Sequence, residues 1–457
     1  MSDTLDTIFA LSSGHPPAAV AVVRISGPRA GAALAAMTGR VGEPRLARLA
    51  RVRDPANGEP IDQALALWFP GPRSETGEDM AELQLHGGRA IIAAVLGVLG
   101  RLEGLRLAEP GEFTRRAFEN GRLDLTRVEG LADLIFADTE AQRRQAFNQL
   151  RGVLGTKAEG WRTELVAALA LIEAGIDFGD EADVPGNLMA PALATARRLR
   201  DDIESALADG GRGERLRDGV VVAIAGPPNA GKSSLLNRIA RREAAIVSPY
   251  AGTTRDVIEV HLDLGGAPVT LLDTAGIRDS DDPVEREGVR RARVRAAAAD
   301  LVLWVTDFSG HEILTMYTAD HEFSQTPKWL IRNKLDLVAD PKGNIQRSGI
   351  QIIDHRAFAI SAKTGVGLDG LLTALTDYAR DHLGASEPAL VTRQRHRRAL
   401  GEAGAALERA LAEGATGRED IVAEELRLAA RALGRLIGRV DVEDILDVIF
   451  RDFCIGK

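Results

Sequence analysis

The segment that most constrains this chain of 457 residues is a glycine-rich loop between an apolar run and a helical stretch. Val220–Ile224 is typical of a buried strand, and Ser233 opens the helical sequence SSLLNRIA. The loop between them has the spacing Gly226-x-x-x-x-Gly231-Lys232-Ser233. Glycines let the backbone curl so that its N–H groups point at an anion, and the helix adds its positive end. Lys232 can then reach the β and γ phosphates of a nucleotide, and the Ser233 hydroxyl can bind Mg²⁺.

Four further segments follow in the order that a GTP-binding domain requires. GTTRD supplies a threonine hydroxyl for Mg²⁺, DTAG follows an apolar strand, NKLD follows another strand, and SAK follows a third. In NKLD, the carboxylate of Asp336 can accept hydrogen bonds from guanine N1 and N2, a donor pair that adenine lacks. The five segments together predict a Mg²⁺-dependent GTPase. The candidate nucleotide-binding residues are Asn229, Ala230, Gly231, Lys232, Ser233, Ser234, Thr253, Thr254, Asp273, Thr274, Ala275, Gly276, Asn333, Lys334, Asp336, Ser361, Ala362 and Lys363, and the family resemblance described below adds Ser248.

Composition narrows the protein class. The net charge of −9 argues against a surface coated in positive charge, although it allows a local basic patch. The single cysteine, Cys454, excludes an internal disulfide and is typical of a reducing compartment. No run approaches the roughly 18 apolar residues of a membrane span. Acidic residues stand in the opening segment, where a signal peptide needs positive ones. We therefore expect a cytoplasmic protein.

The pattern of strands and helices predicts a multidomain α/β protein. Short strands and one helix favour an α+β domain over residues 1–120, and helical periodicity dominates residues 121–217. The nucleotide domain occupies 218–381, and helix returns over 382–457. Because domain termini often lie close together, the two helical arms are expected to form one discontinuous helical domain with the Ras-like P-loop domain inserted. The basic run Arg393–Arg398 opens the second arm, either as a solvated helix face or as an RNA contact.

The chain resembles the MnmE (TrmE) family of bacterial tRNA-modification GTPases over nearly its whole length. The resemblance is carried by DTIFAL, VAVVRISG, ALWFPGP, TGEDMAELQLHGG, PGEFTRRAF, the GTPase segments and the terminal FCIGK. It implies an N-terminal domain similar to tetrahydrofolate-binding domains, which holds a homodimer together. It also implies a flavoprotein partner, MnmG (GidA), in a heterotetramer that installs an aminomethyl-type group on C5 of the wobble uridine of tRNA.

The resemblance also implies particular residues. The one-carbon donor would be 5,10-methylenetetrahydrofolate, with 5-formyltetrahydrofolate as a binding analogue, and the folate residues fall on Arg24, Glu82, Arg122 and Lys457. The family's proposed reactive cysteine falls on Cys454. K⁺ would supply positive charge near the phosphates when two G domains meet. Its ligands would be Asn229, Ser248, Tyr250 and Thr253, while Ser233 and Thr254 would hold Mg²⁺.

One catalytic residue is implied indirectly. Ile277 stands after Gly276, where Ras-like GTPases carry a water-positioning glutamine, and the resemblance assigns that role to Glu285. The alternative for Glu285 is that it is one charge among many in an acidic loop.

Asn229 also has an alternative role. Asparagine often stabilises a turn, and Asn229 would do only that in the phosphate loop if it binds no K⁺.

Two functions remain open on these observations. The first is a GTPase component of a tRNA-modification system. The second is a regulatory RNA-binding GTPase of the ribosome-assembly type. The folate-like N-terminal domain and the FCIGK tail favour the first.

Overall fold

The computed structural model describes most of the chain. The described residues are 6–178, 188–208, 210–242, 245–246, 259–273, 299–308, 326–338, 356–384 and 389–440, with 446, 449, 450, 453, 455 and 456 beyond them. The chain divides into two compact units. The first unit contains Met1–Ala132, Asn148–Ser205 and Arg395–Lys457, and the second contains Asp133–Phe147 and Ala206–Gln394.

The first unit begins with a mixed sheet whose strands run in the order β3-β4-β5-β2-β1-β6. These are β1 (Thr7–Leu11), β2 (Ala18–Ser26), β3 (Arg48–Arg53), β4 (Pro60–Phe69), β5 (Met80–Gly87) and β6 (Leu105–Leu107). The helices α1 (Ala30–Thr38) and α2 (Arg89–Leu99) complete this layer. Alternate residues of the strands, such as Val23, Ile25 and Leu83, form its buried core with residues of both helices.

The other face of this sheet carries different residues. Arg24 on β2 lies opposite Ala10 on β1 and Glu82 on β5, so the three side chains share that face. Helix α3 (Glu112–Glu119) contributes Phe113 to a small buried cluster with Ile8 and Ala10.

The end of the chain packs against the same region. Ile455 pairs with Pro110 in an antiparallel bridge. Gly456 has φ +96°, and a Cβ there would lie 2.2 Å from the carbonyl oxygen of Leu11 at the end of β1. Only glycine fits this close approach, which positions the tail against the N-terminal sheet.

The remaining helices of the first unit come from both arms of the chain. They are α4 (Leu125–Ile135), α6 (Val153–Phe178), α7 (Met189–Ala208), α11 (Gln394–Gly414) and α12 (Glu419–Ile437), while α5 (Glu140–Leu150) belongs mostly to the second unit. Helices α8 (Gly210–Asp218), α9 (Lys232–Ala240) and α10 (Leu368–Leu383) lie between α7 and α11 in the chain. Helix α6 from the first arm packs along α12 from the second arm. The discontinuous helical domain expected from the sequence is therefore present. The four-way division at residues 120, 217 and 381 stays a prediction, and Asp133–Phe147 belongs to the second unit.

A charged cluster is buried among these helices. Glu129 on α4 is 2% exposed and accepts hydrogen bonds from Arg395 at 3.0 and 2.8 Å, and it contacts His396 at 2.6 Å. Arg395 also donates to the carbonyls of Arg435 and Leu436 at the end of α12. Burial alone would raise the pKa of Glu129. The positive charges of Arg395 and His396 outweigh burial and hold that pKa well below its ordinary value.

We expect Glu129→Gln to lower the free energy of unfolding by about 3 kcal/mol, because it leaves buried cations without their carboxylate. The depressed pKa means that the Glu129 contribution is present above its unfolded pKa, near 4.5, and is lost as the pH falls below that value. Urea denaturation at several pH values measures both effects. Glu103→Gln, at a side chain that is 90% exposed, is the control. Equal stability of the two variants at neutral pH would contradict the assigned role of the cluster.

The second unit contains a mostly parallel sheet in the order β13-β12-β11-β7-β10-β9-β8. Its strands are β7 (Val220–Ala225), β8 (Ala245–Ile246), β9 (Glu259–Leu264), β10 (Ala267–Asp273), β11 (Leu301–Asp307), β12 (Lys328–Asn333) and β13 (Ala357–Ala359). Helices α8 (Gly210–Asp218), α9 (Lys232–Ala240) and α10 (Leu368–Leu383) accompany it. The run β7, β10, β11 and β12 is parallel, so the carboxyl ends of these strands meet at one edge.

Within the described ranges, no helix is both long enough and apolar enough to cross a membrane.

Candidate functional site

The loop between β7 and α9 has the curled backbone predicted from its glycines. Gly226 has φ +135°, and a Cβ there would lie 2.1 Å from the carbonyl oxygen of Val305 on the neighbouring strand. Gly231 has φ +92°, and its Cβ would lie 2.3 Å from Nδ2 of Asn333. Both positions exclude every residue with a side chain. Asn229 adopts φ +61°, a conformation that asparagine tolerates better than most residues. The loop therefore forms a cradle at the positive end of α9.

Lys232 and Ser233 open α9 at the base of this cradle. Lys232 is 8% exposed, and its Nζ donates to the carbonyl oxygens of Gly226 at 2.7 Å and Pro227 at 2.9 Å. Burial lowers the pKa of the Lys232 ammonium, and the nearby Asp273 carboxylate partly offsets that effect. The Ser233 hydroxyl donates to Oδ2 of Asp273 at 2.7 Å. A hydroxyl and a carboxylate held together beside a phosphate cradle are an oxygen-ligand set suited to Mg²⁺.

The residues predicted to select the base lie at the ends of β12 and β13. Asn333 donates through Nδ2 to the carbonyl oxygen of Ala230 and accepts through Oδ1 from the Ala362 amide, both at 2.9 Å. This side chain therefore ties the phosphate loop to the loop after β13. Lys334 has φ +65° and donates to Asp307 at 3.0 Å.

Asp336 is exposed and accepts a hydrogen bond of 2.6 Å from the Ser361 hydroxyl. That bond lowers the pKa of Asp336, so the carboxylate stays ionised and ready to accept. The amides of Ser361 and Ala362 donate within the protein, to Val366 and Asn333. The Lys363 amide bonds no other described residue, so it can donate to a ligand in this loop.

The structure thus brings the predicted nucleotide residues together at one sheet edge wherever it describes them. These are Asn229 to Ser234, Asp273, Asn333, Lys334, Asp336 and Ser361 to Lys363. Asp307 joins them through Lys334 and was missed by sequence reasoning, although its position at the end of an apolar strand was a usable signal. The other predicted residues lie outside the described residues: Ser248, Tyr250, Thr253, Thr254, Thr274, Ala275, Gly276, Glu285, Cys454 and Lys457.

Arg24 and Glu82 form an ion pair on the first unit's sheet. Nε of Arg24 donates to Oε1 of Glu82 at 3.0 Å, and Nη1 lies 2.8 Å from Oε2 of Glu75. The side chains of Arg24 and Glu82 are 11% and 14% exposed, and the Arg24 guanidinium lies 5.8 Å from the ring centre of Phe113. Glu75 precedes the TGEDMAEL stretch and was missed by sequence reasoning, because nothing in the sequence indicated that its loop turns back onto β2.

A loop connects this pair to Arg122. Thr76 contacts the Ser26 hydroxyl at 2.7 Å and accepts through its carbonyl oxygen from Asn120 at 2.8 Å. Gly77 has φ +84°, and a Cβ there would lie 3.3 Å from Cγ of Arg122. The structure therefore places Arg24, Glu82 and Arg122 around one loop.

The curled glycine loop after β7 and the Ser233–Asp273 pair, on a mostly parallel sheet, define the second unit as a P-loop domain of the GTPase class. The N-terminal residues 7–122 match the model for the GTP-binding protein TrmE N-terminus, and residues 125–454 match the model for the MnmE helical domain. The chain belongs to the MnmE family.

Full-length relatives support the assignment of the chain to the MnmE family. The chain is 59% identical over 452 residues to the tRNA modification GTPase MnmE of a Bradyrhizobium species, covering 99% of each chain. It is 57% identical over 461 residues to the protein of the same name from Rhodopseudomonas palustris, covering 100% of each. Among solved structures, it resembles the G domain of the T. maritima FeoB iron transporter with 24% identity, 35% of this chain and 99% of that chain covered, and a TM-score of 0.25. That score is too low to carry an argument.

Proposed function

We propose that this chain hydrolyses GTP and couples the hydrolysis to modification of the wobble uridine of tRNA. The MnmE relatives are named tRNA modification GTPases. The residues gathered at one edge of the second unit's sheet support the part of the proposal that concerns GTP hydrolysis. In the proposal, Lys232 and the loop amides bind the phosphates, and Ser233, Thr254 and Asp273 would hold a Mg²⁺ ion, which would supply positive charge to the phosphate oxygens. Asp336 selects guanine. Glu285 orients the attacking water, and the tRNA substrate would place the protein in the cytoplasm.

The part of the proposal that concerns tRNA modification rests on the position of the C-terminal tail. Ile455 and Gly456 lie against Pro110 and Leu11, and Leu11 pairs with Val23, the neighbour of Arg24 on β2. Arginine and carboxylate side chains on this face offer donors and acceptors to a polar pterin edge, and Arg122 and Lys457 offer cations to a glutamate carboxylate. The donor set fits a tetrahydrofolate, which supplies the one-carbon unit when bound. Cys454 stands within the tail as the proposed reactive thiol.

The same sheet face supports a homodimer. Val20, Leu49 and Leu65 lie on it and are 54%, 62% and 39% exposed. Apolar side chains exposed together on one face are typical of an interaction surface. In the proposal, two copies associate through this face, and the flavoprotein MnmG completes a heterotetramer.

Reconstitution tests this proposal. The chain, its flavoprotein partner, tRNA, GTP and methylenetetrahydrofolate with a labelled one-carbon unit should transfer the label to tRNA. Omission of GTP or of the chain should prevent transfer. The alternative, a ribosome-assembly switch, predicts GTP-dependent RNA binding with no label transferred. The absence of folate binding would favour that alternative.

Hydrolysis should depend on K⁺ through Asn229, with Ser248, Tyr250 and Thr253 completing the ion's ligands. Asn229 is exposed within the phosphate loop, and phosphoryl transfer spreads negative charge that a cation there would stabilise. We expect the rate of GTP turnover to be at least about tenfold higher in KCl than in NaCl at equal ionic strength. The reason is that loss of one group that stabilises charge in the transition state lowers the rate by a large factor.

The variant Asn229→Gly separates this role from a turn-stabilising one. Glycine keeps the positive φ of the loop and removes only the side-chain oxygen. If Asn229 binds K⁺, the variant should lose the difference between KCl and NaCl while still binding nucleotide. If the wild-type chain turns over equally fast in both salts, the K⁺ proposal is wrong.

A further inference from the structure

The basic run Arg393–Arg398 divides into an inward part and an outward part. Arg393 pairs with Asp133 at 2.5 Å, and Arg395 and His396 contact the buried Glu129. These contacts are structural. Arg398 has a different environment, because its side chain is 82% exposed. The sequence alone allowed either a solvated helix face or an RNA contact. In the structure the inward part of the run makes structural contacts, and only the outward part, at Arg398, is free to contact RNA.

Arg398 lines a cleft between α11 and α12. The cleft has a volume of about 300 Å³ and is lined by Arg395, Arg398, Ala399, Glu402 and Arg435. Nε of Arg398 donates to Oε1 of Glu402 at 2.9 Å, and Arg435 donates to the other oxygen of the same carboxylate. Glu402 therefore braces both guanidinium groups. The terminal nitrogens of Arg398 bond no other described residue and face solvent.

The charge of this cleft favours an anion. Arg395 is paired with Glu129, and Arg398 and Arg435 share the single carboxylate of Glu402. One guanidinium charge is therefore left over in the cleft, in a chain whose net charge is −9. A braced arginine with free terminal nitrogens matches the two oxygens of a phosphate.

We propose that Arg398 and Arg435 form a phosphate-binding cleft for the backbone of tRNA. The inference rests on the proposed function, because tRNA is the polyanion that the proposed reaction requires. Contacts to phosphate position an RNA without reading its sequence, so the cleft would act on all tRNA substrates alike. It would orient the RNA, while base choice would lie elsewhere.

The test compares Arg398→Gln with a matched control, Arg409→Gln. Arg409 lies on the same helix, and both ends of its fork bond Glu425 at 2.8 Å, so it has less to offer a phosphate. The two variants change the net charge equally, and the sites are about 16 Å apart along the helix, beyond the Debye length at physiological salt.

Binding of the full chain to unmodified tRNA is measured over a series of salt concentrations. Arg398→Gln should weaken binding about tenfold at low salt, with a smaller loss as salt rises, and should reduce the slope of log K against log salt by about 1, the signature of one lost phosphate contact. Arg398→Lys should retain most of the binding and the slope. Arg409→Gln should match the wild type, and GTP hydrolysis without tRNA should be unchanged in all three variants.

Other results would overturn the inference. If Arg409→Gln loses as much tRNA affinity as Arg398→Gln, the effect is one of net charge alone. If Arg398→Gln binds tRNA as tightly as the wild type, the cleft does not bind phosphate, and the proposed function is unaffected. Weaker binding of the flavoprotein with unchanged binding of tRNA would assign the cleft to a protein partner instead. If the wild-type chain binds no tRNA, either alone or with that partner, both the cleft and the proposed function fail.

Discussion

Asp336→Asn should change the base preference of the chain from guanine to xanthine. The carboxylate of Asp336 is oriented by the Ser361 hydroxyl at 2.6 Å and matches the N1 and N2 donors of guanine. An amide offers one acceptor and one donor, which suits the C2 oxygen of xanthine instead. Loss of this charged pairing should cost about 2–4 kcal/mol of GTP binding, roughly thirtyfold to several hundredfold in affinity.

Titration of the variant with GTP and xanthosine triphosphate measures both halves of the change. Asp377→Asn is the control, because Asp377 is an exposed residue of α10 in the same unit. The control should bind GTP as the wild type does. Unchanged GTP affinity in Asp336→Asn would remove Asp336 from the base site.

Deletion of Ile455–Lys457 should abolish folate-dependent tRNA modification and leave GTP hydrolysis largely intact. The structure gives the reason, because Ile455 bridges to Pro110 and Gly456 approaches the end of β1. These residues hold the tail against the end of β1, whose residue Leu11 pairs with Val23, the neighbour of Arg24 on β2. The nucleotide site belongs to the other unit and keeps its own contacts.

A point variant makes the same test without removing Lys457. In Gly456→Ala the new Cβ would lie 2.2 Å from the Leu11 carbonyl oxygen, so the tail must shift. Gly417→Ala is the matched control, since Gly417 also has a positive φ, +76°, but no atom within 4 Å of its would-be Cβ. We expect Gly456→Ala to lose modification and the control to keep it. Full modification by the truncated chain would show that the tail has no part in the site.

The sequence predicted which described residues lie together at the edge of the second unit's sheet, and it did so for a physical reason. Its residues follow apolar strands directly, and the carboxyl ends of parallel strands meet at one edge, so local pattern determines Lys232, Asp273, Asn333 and Asp336 together. The same reasoning predicted that the helical arms form one domain.

Other features depend on residues far apart in the chain, which a local pattern does not contain. Arg395 and Glu129 are separated by 266 positions, so the sequence could not show that part of the basic run is buried. Helix ends are also set by single residues that a periodic pattern does not contain. Helix α12 ends at Ile437 because Gly438 adopts φ +85°, and α2 ends at Leu99, before Gly100.

The central claim is the proposal that residues from both ends of this chain form one tetrahydrofolate site, in a protein that also contains a GTPase domain. Titration calorimetry of the purified full-length wild-type chain with 5-formyltetrahydrofolate tests it most directly. Saturable binding with one ligand per chain is expected, weakened in Arg24→Gln and in the chain lacking Ile455–Lys457, with GTP affinity unchanged in both. A wild-type chain that binds GTP normally but shows no folate binding would contradict the claim.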